Sequence, residues 1–242
     1  MKAEKKLCII VPIYKKEPSR EELFSLERLD ALTKGEKIFI IAPENLDLSA
    51  YKSYEWEVKR FSDKYFKNVD SYTRLCLSKW FYECFMEYQY MLIHQTDALL
   101  LKPVAAIYDF LEMSYDYYGA PWPEGSVSYQ YSFRGLSLVK RFFKAKKCYV
   151  GNGGFSLRNI QHTVALLREK EKYTRIWNGG EDKFFAYHGQ DNKCDFKIAP
   201  IEVAERFALE QNAKEKILDG IVPVGVHAWK KYYPNLEVEE LV

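Results

Sequence analysis

The sequence predicts a mixed α/β domain with a mostly parallel central sheet flanked by helices, and three observations carry that prediction. Residues 7–14, LCIIVPIY, and 37–42, KIFIIA, are near-continuous apolar runs of the kind required by parallel strands covered on both faces. Between them Ser19 stands three residues before Glu22 as a capping box, and Leu23, Leu26, Leu29 and Leu32 follow at helical spacing up to Gly35. Strand, helix and strand within about forty residues make a βαβ unit, which implies parallel pairing and a right-handed crossover.

A chain of 242 residues can bury one sizeable core, and a single domain over residues 1–242 is expected. Hydrophobic residues make up 48% and charged residues 29%, an ordinary composition for a soluble globular protein. No segment reaches the ~18 uninterrupted apolar residues of a membrane-spanning helix. The first apolar run ends in Lys15-Lys16 without a small-residue cleavage site, so it reads as a strand rather than a signal peptide. Five cysteines, Cys8, Cys76, Cys84, Cys148 and Cys194, form no CxxC pair and several fall in apolar runs. That pattern fits buried thiols in a reducing cytoplasm and indicates no zinc site. A net charge of +2 argues against nucleic acid as a partner, whose phosphates call for a marked basic excess.

The remaining elements follow in order. Pro12 stops the first ladder, and residues 54–61 read as a third strand. A helix is expected over 71–88, SYTRLCLSKWFYECFMEY, leading into a central strand at 90–94. Another helix follows Pro103 as far as Met113. The turn in YDYYGAPW then opens a polar, Tyr-rich loop over 123–133, expected to be mobile and to order over a ligand. Residues 139–147, VKRFFKAKK, mix five basic residues with two Phe and suit a solvated helix face or peripheral contact with an anionic membrane. Residues 149–158, YVGNGGFSLR, read as a strand broken by glycines, and helices are expected over 159–170, 183–187 and 201–209.

Several residues carry candidate chemistry. Asp97 sits between two apolar segments, and an unpaired charge cannot be left inside a sheet, so it belongs at the carboxyl end of the strand before it. There it either holds a divalent cation or caps a turn, with Gln95 on the same side of an extended backbone. Glu44 in Pro43-Glu44-Asn45 follows the second strand, where a carboxylate could meet a base or ribose or simply form a turn. Gly151-Asn152-Gly153-Gly154 allows close approach to a ligand or positive φ, and its spacing is not a dinucleotide fingerprint. Glu181 and Asp182 open a helix after Gly179-Gly180, as a general base or as ordinary helix capping. His227, before Trp229, is either a ligand or a packed side chain.

The order of VPIY, APEN, SYTRL, QTD, GAPW, GNGGFSLR, GGED and VGVHAW resembles the GT-A type glycosyltransferases over residues 7–233. It looks more closely like a small uncharacterised family from bacterial cell-surface polysaccharide loci. The resemblance implies transfer of a sugar from a nucleoside diphosphate sugar to a glycan or lipid-linked acceptor, with Mn²⁺ or Mg²⁺. Asp97 matches the last acidic residue of a DxD motif that binds the metal, and His227 matches a carboxyl-terminal metal or phosphate ligand. Pro12 and Tyr14 match a base-contacting loop, Glu44 a carboxylate near base or ribose, and Arg74 and Gln95 fall on the donor side. Trp122, Asn152, Gly153 and Gly154 fall on the acceptor or sugar side. Of the acidic pair, Asp182 matches the base of an inverting reaction and Glu181 a ligand of an acceptor or sugar hydroxyl. Gln95 departs from the motif, replacing its first acidic residue and so weakening the metal site.

Overall fold

The computed structural model describes residues 5–129 and 144–233. In chain order its elements are β1 (Lys5–Pro12), α1 (Arg20–Leu32), β2 (Lys37–Pro43), β3 (Glu57–Phe61), α2 (Val69–Cys76) and α3 (Lys79–Glu83). Next come β4 (Tyr88–His94), β5 (Ala98–Leu100), α4 (Ala105–Glu112), β6 (Tyr117–Tyr118), β7 (Pro121–Tyr129) and β8 (Ala145–Val150). The rest are β9 (Phe155–Asn159), α5 (Ile160–Glu169), α6 (Glu171–Thr174), α7 (Glu181–His188), α8 (Ile201–Phe207), β10 (Ala208–Leu209), α9 (Ala213–Leu218), β11 (Gly225–His227) and α10 (Trp229–Tyr232).

The fold is mixed α/β around a six-stranded sheet of order β3-β2-β1-β4-β9-β6. β2 and β4 pair with β1 in parallel and β3 pairs with β2 in parallel, while β9 runs against both of its neighbours. Alternation along β1 sorts the core into two layers. Leu7, Ile9 and Val11 pack with Leu26 and Leu29 of α1 and Phe110 of α4, whereas Cys8 and Ile10 pack with Phe81 of α3, Leu167 of α5 and Phe185 of α7. Burial on both faces is what the unbroken apolar runs require. A three-stranded sheet, β10-β11-β5, and a two-stranded ribbon, β7-β8, sit beside the main sheet. Among the described residues no helix is long and apolar enough to cross a membrane.

Four expectations are corrected. The helix expected over 71–88 is two short helices, because Leu77 and Ser78 close α2: Leu77 N–H donates to Thr73 O at 2.9 Å and Ser78 Oγ to Arg74 O at 2.6 Å. The polar run after Trp122 is a strand as far as Tyr129, paired antiparallel with β8. A ribbon with one exposed face needs few apolar residues, so its strands look like loop in the sequence. Within the basic stretch, Ala145 to Lys147 belong to β8 rather than to a helix. The remainder of the two stretches, residues 130–133 and 139–143, lies outside the described residues. The segment 149–158 is two strands joined by the glycine turn, and β9 rather than the turn enters the main sheet.

Candidate functional site

The strand order changes direction of growth at β1, with β2 and β3 on one side and β4 and β9 on the other. The chain ends leaving β1 and β4 therefore diverge and leave a crevice at their carboxyl edge, the position where open α/β sheets take ligands. A cleft of about 560 Å³ lies there. Its lining includes Pro12 and Tyr14 after β1, Gln95 after β4, Asn152 to Gly154 before β9, Glu181 and Asp182 at the start of α7, and His227 at the end of β11. Trp122 forms part of the wall.

β11 pairs antiparallel with β5, His227 opposite Ala98, and Ala228 N–H donates to Asp97 O at 3.0 Å. This pairing brings Asp97, from the middle of the chain, and His227, 130 positions later, to one place. His227 Nε2 stands 3.2 Å from Asp97 Oδ1 and 3.3 Å from Gln95 Oε1. Ala228 holds φ at 49°, a strained left-handed conformation for alanine, directly after the histidine. Burial works against charge on His227, but hydrogen bonds and charge from Asp97 and Glu210 outweigh it and push the imidazole up to about 9. Burial likewise works against ionised Asp97, and His227 outweighs it, holding that carboxyl below its ordinary value. Asp97 keeps 56% of its side-chain surface accessible, so one side of the pair is open to solvent or to a ligand.

The other face of His227 sets its tautomer. Nδ1 lies 3.0 Å from Asn152 Nδ2 and 3.4 Å from Glu210 Oε1. The Asn152 amide is oriented by Gly154 N–H, which donates to Asn152 Oδ1 at 2.9 Å. The Asn152 amide nitrogen can only donate, so its contact calls for a lone pair on Nδ1; for Nε2 to offer a lone pair to a ligand instead, the proton must move to Nδ1, where Glu210 and not Asn152 would accept it. Asp97, Gln95 and neutral His227 then supply a carboxylate oxygen, an amide oxygen and an imidazole nitrogen. This set fits Mn²⁺ better than the all-oxygen preference of Mg²⁺. Among the described residues no three His, Cys, Asp or Glu side chains form a metal cage. Any cation here needs further oxygens from a ligand.

The glycine turn is built for close approach. A Cβ on Gly154 would fall 1.9 Å from His227 Nε2, and one on Gly153 would fall 1.9 Å from Glu181 Oε1. The one residue of this turn in the left-handed region is Asn152, at φ 65°. Gln95 N–H donates to Gly154 O at 2.8 Å and ties the turn to the end of β4.

Glu181 and Asp182 share the cleft but differ in surroundings. Glu181 Oε1 accepts from the buried Arg158 at 3.1 Å. Asp182 Oδ1 accepts from its neighbour's Lys183 N–H at 2.7 Å, and has the carboxylates of Glu181 and Glu210 near it. Burial first, then the charge of Glu181, raise the Asp182 carboxyl to about 6, which overrides the helix N-terminus expected to favour its ionised form.

Three expected residues are not part of this lining: Asp97, which stands beside it through its contact with His227, and Glu44 and Arg74, which lie away from it. Glu44 is exposed after β2, its carbonyl 3.4 Å from Arg60 Nη1, and Arg74 is exposed on α2. Among the residues at the site that were given no role from the sequence are Glu210, Tyr72 and Arg158. Arg158 carried the clearest signal, a cation in the same strand phase as Ser156, alternating with the apolar Phe155 and Leu157 of FSLRN. Glu210 follows a run that read as continuous helix.

Residues 55–227 match the model of a family described as "Protein of unknown function (DUF5672)". The chain belongs to that family. The matched span runs from just before β3 to the end of β11 and contains Gln95, Asp97, the glycine turn, Glu181, Asp182 and His227, while Pro12, Tyr14 and Glu44 precede it. No curated protein matches the chain.

Proposed function

We propose that the protein is a glycosyltransferase of GT-A type that moves a sugar from a nucleoside diphosphate sugar to a glycan or lipid-linked acceptor, in the cytoplasm at bacterial surface-polysaccharide synthesis. One observation carries the reading: Asp97, Gln95 and His227 converge at the rim of a switch-point cleft whose lining also holds a carboxylate raised toward neutrality, Asp182. A parallel sheet with one reversed strand and a cleft at its carboxyl edge supports the same reading.

On this reading Asp97, Gln95 and His227 would hold Mn²⁺, which would supply charge stabilisation for the departing diphosphate. Pro12 and Tyr14 flank the place for the nucleoside, and Trp122 offers an aromatic wall for a sugar or acceptor ring. Asp182 takes the proton from the acceptor hydroxyl as it attacks with inversion. A base with its pKa near the working pH is the efficient case. Glu181, already engaged by Arg158, binds a hydroxyl rather than moving a proton.

The test is titration of UDP, GDP and dTDP and their sugars with and without Mn²⁺, by thermal shift and by donor hydrolysis. Metal-enhanced binding of one base together with slow hydrolysis is expected. A second reading, a non-catalytic sugar- or nucleotide-binding module, draws on Gln95 in the place of a carboxylate and on the internal pairing of His227 with Asp97. Binding without metal dependence or turnover would select it.

A further inference from the structure

We infer that Arg158 is a positioning residue: from beneath the cleft floor it fixes Glu181 and the glycine turn together, and through that turn holds His227 in register with the carboxylate pair. What it aligns, on the reading above, is the acceptor side of the cleft with the donor side.

Arg158 is completely buried, so no ligand in the cleft touches it. Every reach of its fork is used. Nε donates to Ser156 Oγ at 3.1 Å, Nη1 to Tyr82 Oη at 2.8 Å, and Nη2 both to Glu181 Oε1 at 3.1 Å and to Gly153 O at 3.4 Å. Its plane lies over the rings of Tyr117 and Phe185, at 5.5 and 5.1 Å from the two centroids. A lysine offers a point charge in place of this bidentate, stacked geometry.

The contacts continue upward as a chain. Tyr117 Oη donates to Asn152 O at 2.8 Å and Ser156 Oγ to Gly153 O at 3.0 Å, so two successive carbonyls of the turn are held from below. Above them, Asn152 orients both the Gly154 amide and the His227 ring. An ion pair buried this deeply is poor value as a source of stability, since well-packed apolar residues of like volume are often as stable or more so. Geometry is what an apolar replacement would lose.

The experiment compares amide resonances of Gly153 and Gly154 and ring ¹⁵N resonances of His227 in the wild type, Arg158→Lys, Tyr82→Phe and the double variant Arg158→Met/Glu181→Gln. The double variant removes both buried charges, and Tyr82→Phe removes a single hydroxyl, so a folded variant remains even if Arg158→Lys does not fold. Positioning predicts that the Gly154 and His227 signals move in each folded variant, although neither residue touches Arg158, while the amides of β1 stay in place. It also predicts a turnover lower by about tenfold to a hundredfold with the donor KM within about threefold. Unmoved Gly154 and His227 signals in the folded double variant would overturn the role. If the wild type transfers no sugar, the proposed function fails, and the resonances still decide what Arg158 does.

Discussion

His227 Nε2 and Asp97 Oδ1 stand 3.2 Å apart, one leaving β11 near the end of the described chain and the other in the turn between β4 and β5. Their mutual attraction has a measurable consequence. Asp97→Asn should lower the His227 titration midpoint from about 9 by a unit or more, read from its ring resonances. Because the folded-state value is raised above the ordinary one near 6.5, the stability from charged His227 is fully present below pH 6.5. It is lost as pH rises through about 9. The stability difference between the wild type and His227→Gln should therefore shrink between pH 6 and pH 9.5 in denaturant titrations. A difference that stays constant would contradict the coupling.

Metal binding at this place must displace the proton on His227. Mn²⁺-dependent nucleotide affinity should accordingly rise with pH, by up to about tenfold per unit below pH 9. Calorimetry at pH 6.5, 7.5 and 8.5 measures it. A flat profile would remove His227 from the ligand set.

Asp182→Asn keeps shape and removes the basic oxygen, so turnover should fall by ~10² or more with donor affinity nearly unchanged. In the wild type, turnover should climb as pH passes through about 6 and Asp182 gives up its proton. The sign for stability is opposite. A carboxyl whose folded-state value is raised binds its proton more tightly when native, so folding is favoured as pH falls through about 6 and weakened above it. Asp182→Asn should therefore raise the melting temperature at pH 7.5 while removing activity. Surviving turnover, or a product that retains the donor's anomeric configuration, would dismiss Asp182 as base.

Gly154→Ala places a methyl group where His227 Nε2 now lies, at 1.9 Å. The ring must turn away. We expect a loss of roughly 1 to 3 kcal/mol of stability, as for other overpacked sites, together with loss of metal-enhanced nucleotide binding. Retained Mn²⁺ dependence would show that the imidazole is not a ligand.

The sequence by itself determined the first half of the sheet. Unbroken apolar runs specify β1, β2 and β4, and the Ser19/Glu22 capping box, present in the structure with both of its hydrogen bonds, specifies where α1 begins. These signals are local, and their periods are fixed by backbone geometry. Asp97 was legible for a related reason: a charge between two buried segments has few places to go. Tertiary structure alone decided the rest. That Asp97 meets His227 depends on β11 pairing with β5, a contact with no local signal. The strand character of β7 depends on β8, since a one-sided ribbon carries too few apolar residues to announce itself. Burial and partners, which no spacing reveals, separated the neighbours Glu181 and Asp182: the first pairs with the buried guanidinium of Arg158, while the second feels chiefly the loss of water and then its neighbour's charge.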